Sequence, residues 1–179
     1  MRKILIVMLL FSLKMIGQYD GQDFCKGYEQ GSYFPLDIKV KKMTWYNTYY
    51  LEKLKGTKEI NGKVYKEFEQ IWEKDGTDLL YLREENNIIY EYNEEKKAEF
   101  IRLDKDFKLE NEWNGNDEVY KIISLEGNLV TPFCMYKNLL VIESKGKKVT
   151  YRFYYLKGLG YVGATRDGKL VSYIKPEIK

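Results

Sequence analysis

The chain has 179 residues with 17 tyrosines, 8 phenylalanines and 3 tryptophans, but no histidine and only two cysteines. That excludes a Ser–His or Cys–His nucleophile, the usual neutral-pH general base, and a zinc site of any familiar spacing. The formal charge of +3 comes entirely from the first 17 residues and their approach, where Arg2, Lys3 and Lys14 have no acidic counterpart; the remainder balances at 27 basic and 27 acidic residues, without the basic footprint of a nucleic-acid partner.

Residues 1–17 read as an export signal: a basic start at Arg2-Lys3, an apolar run over residues 4–13 broken only by Ser12, and Gly17 before the expected cut, leaving Gln18 first. Lys14 stops the run well short of the roughly 20 apolar residues that span a bilayer. No later stretch is long and apolar enough to do so. The expected location is therefore extracytoplasmic, periplasmic or secreted, with no transmembrane segment in the mature chain.

The mature chain divides into an N-terminal extension, residues 18–40, and a single β domain, residues 41–179. Cys25 falls in the extension and Cys134 in a late strand. In an exported chain they are a disulfide candidate, with two separate thiols as the alternative. Gln22-Asp23-Phe24 lacks the small and apolar residues that a lipid-modified Cys25 would need.

From residue 43 onward, short runs of Tyr, Ile, Val, Phe and Trp are separated by turn residues, which predicts an all-β chain. Residues 43–54 alternate as one strand, with Gly56 as punctuation. Asn61-Gly62 predicts a type I′ hairpin, because both central residues of that turn need positive φ. Strands follow over 64–72, 79–83, 88–92 and 100–103. Residues 104–117 are polar and read as a loop, with Phe107, Leu109 and Trp113 tucking back onto the sheet. Beyond it, strands are predicted at 119–125, 129–133, 139–143, 149–156 and 170–174, with turns at Gly127-Asn128, 145–147 and 166–168. Pro132 marks an edge or bulge, since it cannot donate to a ladder. The expectation is an antiparallel meander of about nine to ten strands, as a curled sheet, open barrel or sandwich.

Chemistry-bearing motifs are few. Gly158-Leu159-Gly160-Tyr161-Val162-Gly163 spells G-x-G-x-x-G, but the dinucleotide mechanism needs it to open a helix in a βαβ unit, and here it leads into a strand. No cofactor is predicted. Closely spaced carboxylates (Glu67 and Glu69, Asp104 and Asp106, Glu110 and Glu112) leave carboxylate hydrolysis as a third functional option, which requires two carboxyls facing one cleft. Asp104, Asp106 and the 114–117 run offer oxygens but no complete calcium loop, so no metal is assigned. Residues 84–118 hold twelve acids and five bases, residues 137–179 ten bases and three acids. That asymmetry suits either paired solvated faces or an oriented protein contact.

Aromatic richness is the positive signal. Tyr46, Tyr49 and Tyr50 alternate across both faces of a strand, as do Tyr151, Phe153, Tyr154 and Tyr155, so aromatic surface is expected beyond a one-sided core. Trp45-Tyr46, Asn61-Gly62-Lys63-x-Tyr65, Leu80-Tyr81-Leu82-Arg83-Glu84, Tyr90-Glu91-Tyr92 and Tyr154-Tyr155-Leu156-Lys157-Gly158-Leu159-Gly160-Tyr161-Val162 together resemble uncharacterised exported β-rich proteins of the Bacteroidota, over residues 45–174. The resemblance implies a β-meander envelope fold and no catalytic residues. The resulting expectation is a non-enzymatic envelope protein holding an apolar or aromatic-stacking ligand (lipid, peptide or glycan), with Tyr49, Tyr154 and Tyr161 as candidate contacts. The alternative is a protein-interaction or toxin-inhibiting, immunity-like module.

Overall fold

A computed structural model describes residues 24–146 and 149–176; the predicted signal with its cut at Gln18, and Lys147 of the predicted 145–147 turn, lie outside the described residues. The strands are β1 (Val40–Trp45), β2 (Thr48–Ile60), β3 (Lys63–Trp72), β4 (Thr77–Glu85), β5 (Ile88–Asn93), β6 (Ala98–Asp104), β7 (Glu112–Asn114), β8 (Val119–Val130), β9 (Met135–Lys145), β10 (Thr150–Leu156), β11 (Gly160–Arg166) and β12 (Lys169–Lys175). They form one sheet in the order β6-β5-β4-β3-β2-β1-β12-β11-β10-β9-β8-β7. Every pairing is antiparallel, and β1 joins the two halves by pairing β12, with Met43 opposite Ile174 and Trp45 opposite Ser172. The sheet curls until its end strands, β6 and β7, approach each other without joining the ladder. The predicted all-β meander is therefore present as an almost closed barrel.

Its strand count is twelve rather than nine or ten, for local reasons. The single strand expected over residues 43–54 is split, because Tyr46 adopts a φ of 51° and folds β1 back on β2. Part of the predicted 104–117 loop is the short strand β7, and β11 (Gly160–Arg166) occupies residues between the runs predicted at 149–156 and 170–174. Trp113 within β7 is buried, as expected, and Phe107 packs edge-on against Tyr33 at 5.2 Å, but Leu109 faces solvent. Gly127-Asn128 is not a turn: β8 runs through it, and the chain reverses at 131–134, where the Thr131 hydroxyl accepts hydrogen bonds from the backbone N–H groups of Phe133 and Cys134. Pro132 thus sits in this reversal, outside the ladder. At Asn61-Gly62 the φ values of 52° and 75° match the predicted hairpin turn.

Two apolar clusters hold the barrel. One lies inside, with Phe68, Leu82, Ile89, Leu103, Ile122 and Ile142 contributed by strands all around it. The other forms where the β8–β9 hairpin folds across the sheet: three register shifts bend it, bringing Leu129 against Gly163 and Phe133 within 6.0 Å of the Tyr173 ring. Leu129, Tyr136, Leu139, Val141, Tyr154 and Val162 pack there. Aromatic residues alternating over two faces are thus accommodated by covering both.

The N-terminal segment is fastened at two places. Cys25 and Cys134 are joined in a disulfide, with their Cα atoms 5.4 Å apart. Further along, Tyr28 N–H donates to the Lys157 carbonyl at 2.9 Å and Gly158 N–H to the Ser32 carbonyl at 2.7 Å. These bonds explain the G-x-G-x-x-G string. Gly158 has φ 77°, and a Cβ on it would lie 2.8 Å from the Tyr28 Cβ, while one on Gly31 would meet the Gly158 Cα at 2.5 Å. The motif is a seat for the N-terminal segment rather than a phosphate cradle. Gly158→Ala is expected to destabilise by about 2 kcal/mol, the left-handed backbone costing roughly 1 and the clash the rest. Gly168→Ala, with φ 80° and nothing within 4 Å, carries only the backbone cost. Urea midpoints of the two variants separate these contributions, and equal losses would show that the contact with Tyr28 is not tight.

Candidate functional site

The barrel interior holds a partly open cavity of about 380 Å³, within the range that takes a small ligand. Its lining follows from the period of two in a strand. Lys41, Met43 and Trp45 of β1 face it, then Tyr50 and Glu52 of β2, Phe68, Gln70 and Trp72 of β3, and Leu80 and Leu82 of β4. The register sets these side by side: Met43 is opposite Tyr50, Tyr50 opposite Trp72, Glu52 opposite Gln70 and Phe68 opposite Leu80. Across the lumen stand Arg102, Phe153, Tyr155 and Tyr161, while Phe34, Pro35, Leu36 and Ile38 of the extension complete the wall. The extension is thus part of the site. Aromatic contacts pre-order the lining: Tyr50 and Trp72 rings are 4.7 Å apart, Tyr155 and Tyr161 5.8 Å, and Phe34 and Tyr155 5.8 Å.

Three charged groups break this apolar surface. Arg102 is directed inward by a bulge: Ile89 pairs Leu103 and Tyr90 pairs Ile101, leaving Arg102 without an opposite residue. Its guanidinium is 3.4 Å from Glu91 and 40% of its side-chain surface is accessible. Arg102 lines both the main cavity and a neighbouring one of about 250 Å³ with Glu91, Asn116, Glu118 and Tyr120, at the β6–β7 seam. Burial disfavours its charge, but Glu91 and the surrounding tyrosines more than offset this and keep it a cation. Lys41 is half-buried, and burial lowers its pKa despite the opposing charge of Glu52. Glu52 accepts a hydrogen bond from Gln70 Nε2 at 2.8 Å. Burial raises the phenols of Tyr50 and Tyr155 and pushes Tyr120 up to about 12, so all three remain protonated at neutral pH.

Of the three tyrosines singled out from the sequence, Tyr161 lines the cavity. Its hydroxyl is buried, with the Ser172 hydroxyl as its neighbour, and burial raises its pKa. Tyr49 packs beneath the Lys42 ammonium, 4.0 Å from its ring centre, and Tyr154 is buried in the hairpin cluster with its hydroxyl 3.4 Å from that of Thr165. The structure does not bring these three together. Nor do the paired carboxylates converge on the lumen: Glu69 meets Lys55, Glu110 meets Lys121, and Asp104 accepts from Asp106 N–H and Asn111. Asn116 and Asp117 both take the Lys96 ammonium. Among the described residues, no group of three or more Cys, Asp or Glu is placed to hold a metal, and no helix is long and apolar enough to cross a membrane.

Sequence reasoning did not single out Lys41, Arg102, Trp45 or Trp72 as site residues. Arg102 carried a readable signal, as the one charge in Phe100-Ile101-Arg102-Leu103. Lys41, beside Lys42 at a strand start, carried none. Comparison with known protein families, with curated proteins and with solved structures finds no match to this chain.

Proposed function

We propose that this protein is a non-enzymatic binding protein that encloses a small apolar or aromatic-stacking ligand inside its barrel. The observation that carries the reading is the aromatic cavity of about 380 Å³, walled by strands from both halves of the sheet and by the N-terminal extension. Trp45, Tyr50, Trp72 and Phe153 offer ring faces, and only a few polar groups interrupt them, the composition of a small-molecule site. A lipid chain or a flat ring fits such an enclosure better than an extended peptide. The Cys25–Cys134 disulfide supports function in an oxidising compartment, outside the cytoplasm.

Native mass spectrometry of the mature protein recovered from the envelope of its host, set beside the same sample under denaturing conditions, tests this. The expected result is a small mass that co-purifies with the folded chain and disappears on denaturation. A bare chain would count against the reading. A chain carrying a second protein would favour an interaction module instead, for which one observation speaks: Val130, Phe133 and Met135 expose apolar surface at the β8–β9 hairpin tip.

A further inference from the structure

We infer that the barrel rim at the β1–β2 turn is the outer part of the binding site and takes a neutral, hydroxyl-rich head group such as a sugar, while the apolar body of the same ligand lies in the cavity. This rests on the cavity being a ligand site, and it names the chemistry of the ligand. The two ends of the barrel differ. At one, Phe34, Pro35 and Leu36 of the extension stand in the cavity wall, and Tyr33 meets Phe107 of the β6–β7 connection at 5.2 Å. At the other, the strands are joined by short turns, among them residues 46–47 between β1 and β2, 73–76 between β3 and β4, and 167–168 between β11 and β12. The extension occupies the first end, so the outer part of a ligand belongs at the second.

Aromatic rings connect that rim to the lumen. Trp45 and Phe153 line the cavity, and Tyr151, two residues before Phe153 and so on the same face of β10, joins them. Its ring is nearly parallel to both, at 6.3 Å and 19° from Trp45 and at 6.0 Å and 17° from Phe153. Tyr46, 46% exposed, stands edge-on to Trp45 at 5.8 Å. The Tyr46 and Tyr151 hydroxyls are 3.2 Å apart, and Arg166 Nη1 donates to the Tyr46 hydroxyl at 3.3 Å. An exposed ring edged by two hydroxyls and a guanidinium offers a stacking face and hydrogen-bonding groups side by side. A sugar ring uses both, its C–H face against the aromatic ring and its hydroxyls at the edge. Charge argues against the other polar head groups. The charged groups acting on the two phenols are Arg166, Asp167 and Glu118, one base against two acids. The two carboxylates disfavour an anionic head group and the guanidinium a cationic one.

Isothermal titration of the mature protein at pH 7 with octyl β-D-glucoside, 1-octanol, octanoate and octyltrimethylammonium, each as monomer, varies the head group on one body. Stacking and two or so hydrogen bonds predict that the glucoside binds about ten-fold more tightly than octanol, with neither charged compound tighter than octanol. Tyr46→Ala is expected to bring the glucoside-to-octanol ratio to about one while octanol keeps its affinity, and Arg166→Gln, at an exposed position, to lower the ratio roughly three-fold. Octanol or a charged compound that binds as tightly as the glucoside overturns the inference and leaves the cavity reading standing. So does a ratio unchanged in both variants, which places the head group elsewhere. If none of the four compounds binds, the cavity reading fails and the inference with it. Should Tyr46→Ala not fold, the ratio in Arg166→Gln decides.

Discussion

Removing the disulfide, as the Cys25→Ser, Cys134→Ala double variant, is expected to lower the unfolding free energy by roughly 4 to 5 kcal/mol. The bond closes a loop with a sequence separation of 109, and the chain-entropy relation gives about that much for a loop of this size. Small domains are stable by only about 5–15 kcal/mol in total, so the loss is a large part of the whole. Urea denaturation of the double variant against the parent measures it, and a loss below about 1 kcal/mol would mean that the link adds little constraint to an unfolded chain that is already compact.

The same variant separates stability from cavity closure. Without the disulfide, the extension keeps its backbone bonds to Lys157 and Gly158 but loses its attachment to the β8–β9 hairpin. Phe34, Pro35, Leu36 and Ile38 lie between the first anchor and β1, so their hold on the cavity wall then depends on that single docking point. Hydrogen exchange over residues 28–39 should accelerate more than exchange in β2 and β3. Uniform acceleration would indicate that the segment and the barrel open as one unit.

How far this was legible in the sequence depends on which forces act locally. Asn61-Gly62 was readable because turn geometry demands particular residues at two adjacent positions. Gly127 misled for the opposite reason: a Cβ there would lie 2.1 Å from Val141 Cγ2, so this glycine makes room for a side chain on β9 within a continuous strand, and only the fold reveals that neighbour. Tyr46 at φ 51° split a strand that alternated well on paper, since a tyrosine is not a turn signal. The two-faced aromatic pattern was readable, but not what covers each face, because the hairpin and the extension reach their places through contacts distant in sequence. For the site, Tyr161 was identified by its strand, whereas Arg102 owes its inward aim to a bulge set by pairing with β5. Lys41 owes its partial burial to Pro35 and Gly160, which sequence distance conceals.

Glu99 should dominate the loss of stability in acid. It belongs to β6 and gathers cations and a phenol from two other strands: Arg83 of β4, through Nη2 at 2.8 Å and through Nε; Lys63 of β3 at 2.7 Å; and the Tyr65 hydroxyl at 2.7 Å. The guanidinium also lies over the Tyr90 ring of β5 at 4.3 Å. The network therefore clamps end strand β6 across β5 to β3 and β4, which matters in a sheet whose two ends do not pair. Burial opposes the Glu99 charge, but the hydrogen bonds from Arg83, Lys63 and Tyr65 outweigh it and hold the carboxyl at about 2, against an ordinary value of 4.5. The folded value is depressed, so between those two pH values the unfolded chain binds the proton more readily. The contribution is complete above about pH 4.5 and is lost as pH falls toward 2. It amounts to roughly 3 kcal/mol at 1.36 kcal/mol per unit. Glu99→Gln should flatten this acid limb, leaving a smaller slope from Glu143, whose carboxyl is lowered by Arg152 and Lys145 against its own burial. Arg83→Ala removes the main donor and leaves Glu99, 18% exposed, with Lys63 and Tyr65 alone; breaking a largely buried pair in this way costs about 3 kcal/mol at pH 7. Urea midpoints between pH 2 and 7 for the parent and both variants give the slopes. An unchanged acid limb in Glu99→Gln would place the titrating group elsewhere and reduce the clamp to packing between the tyrosine rings.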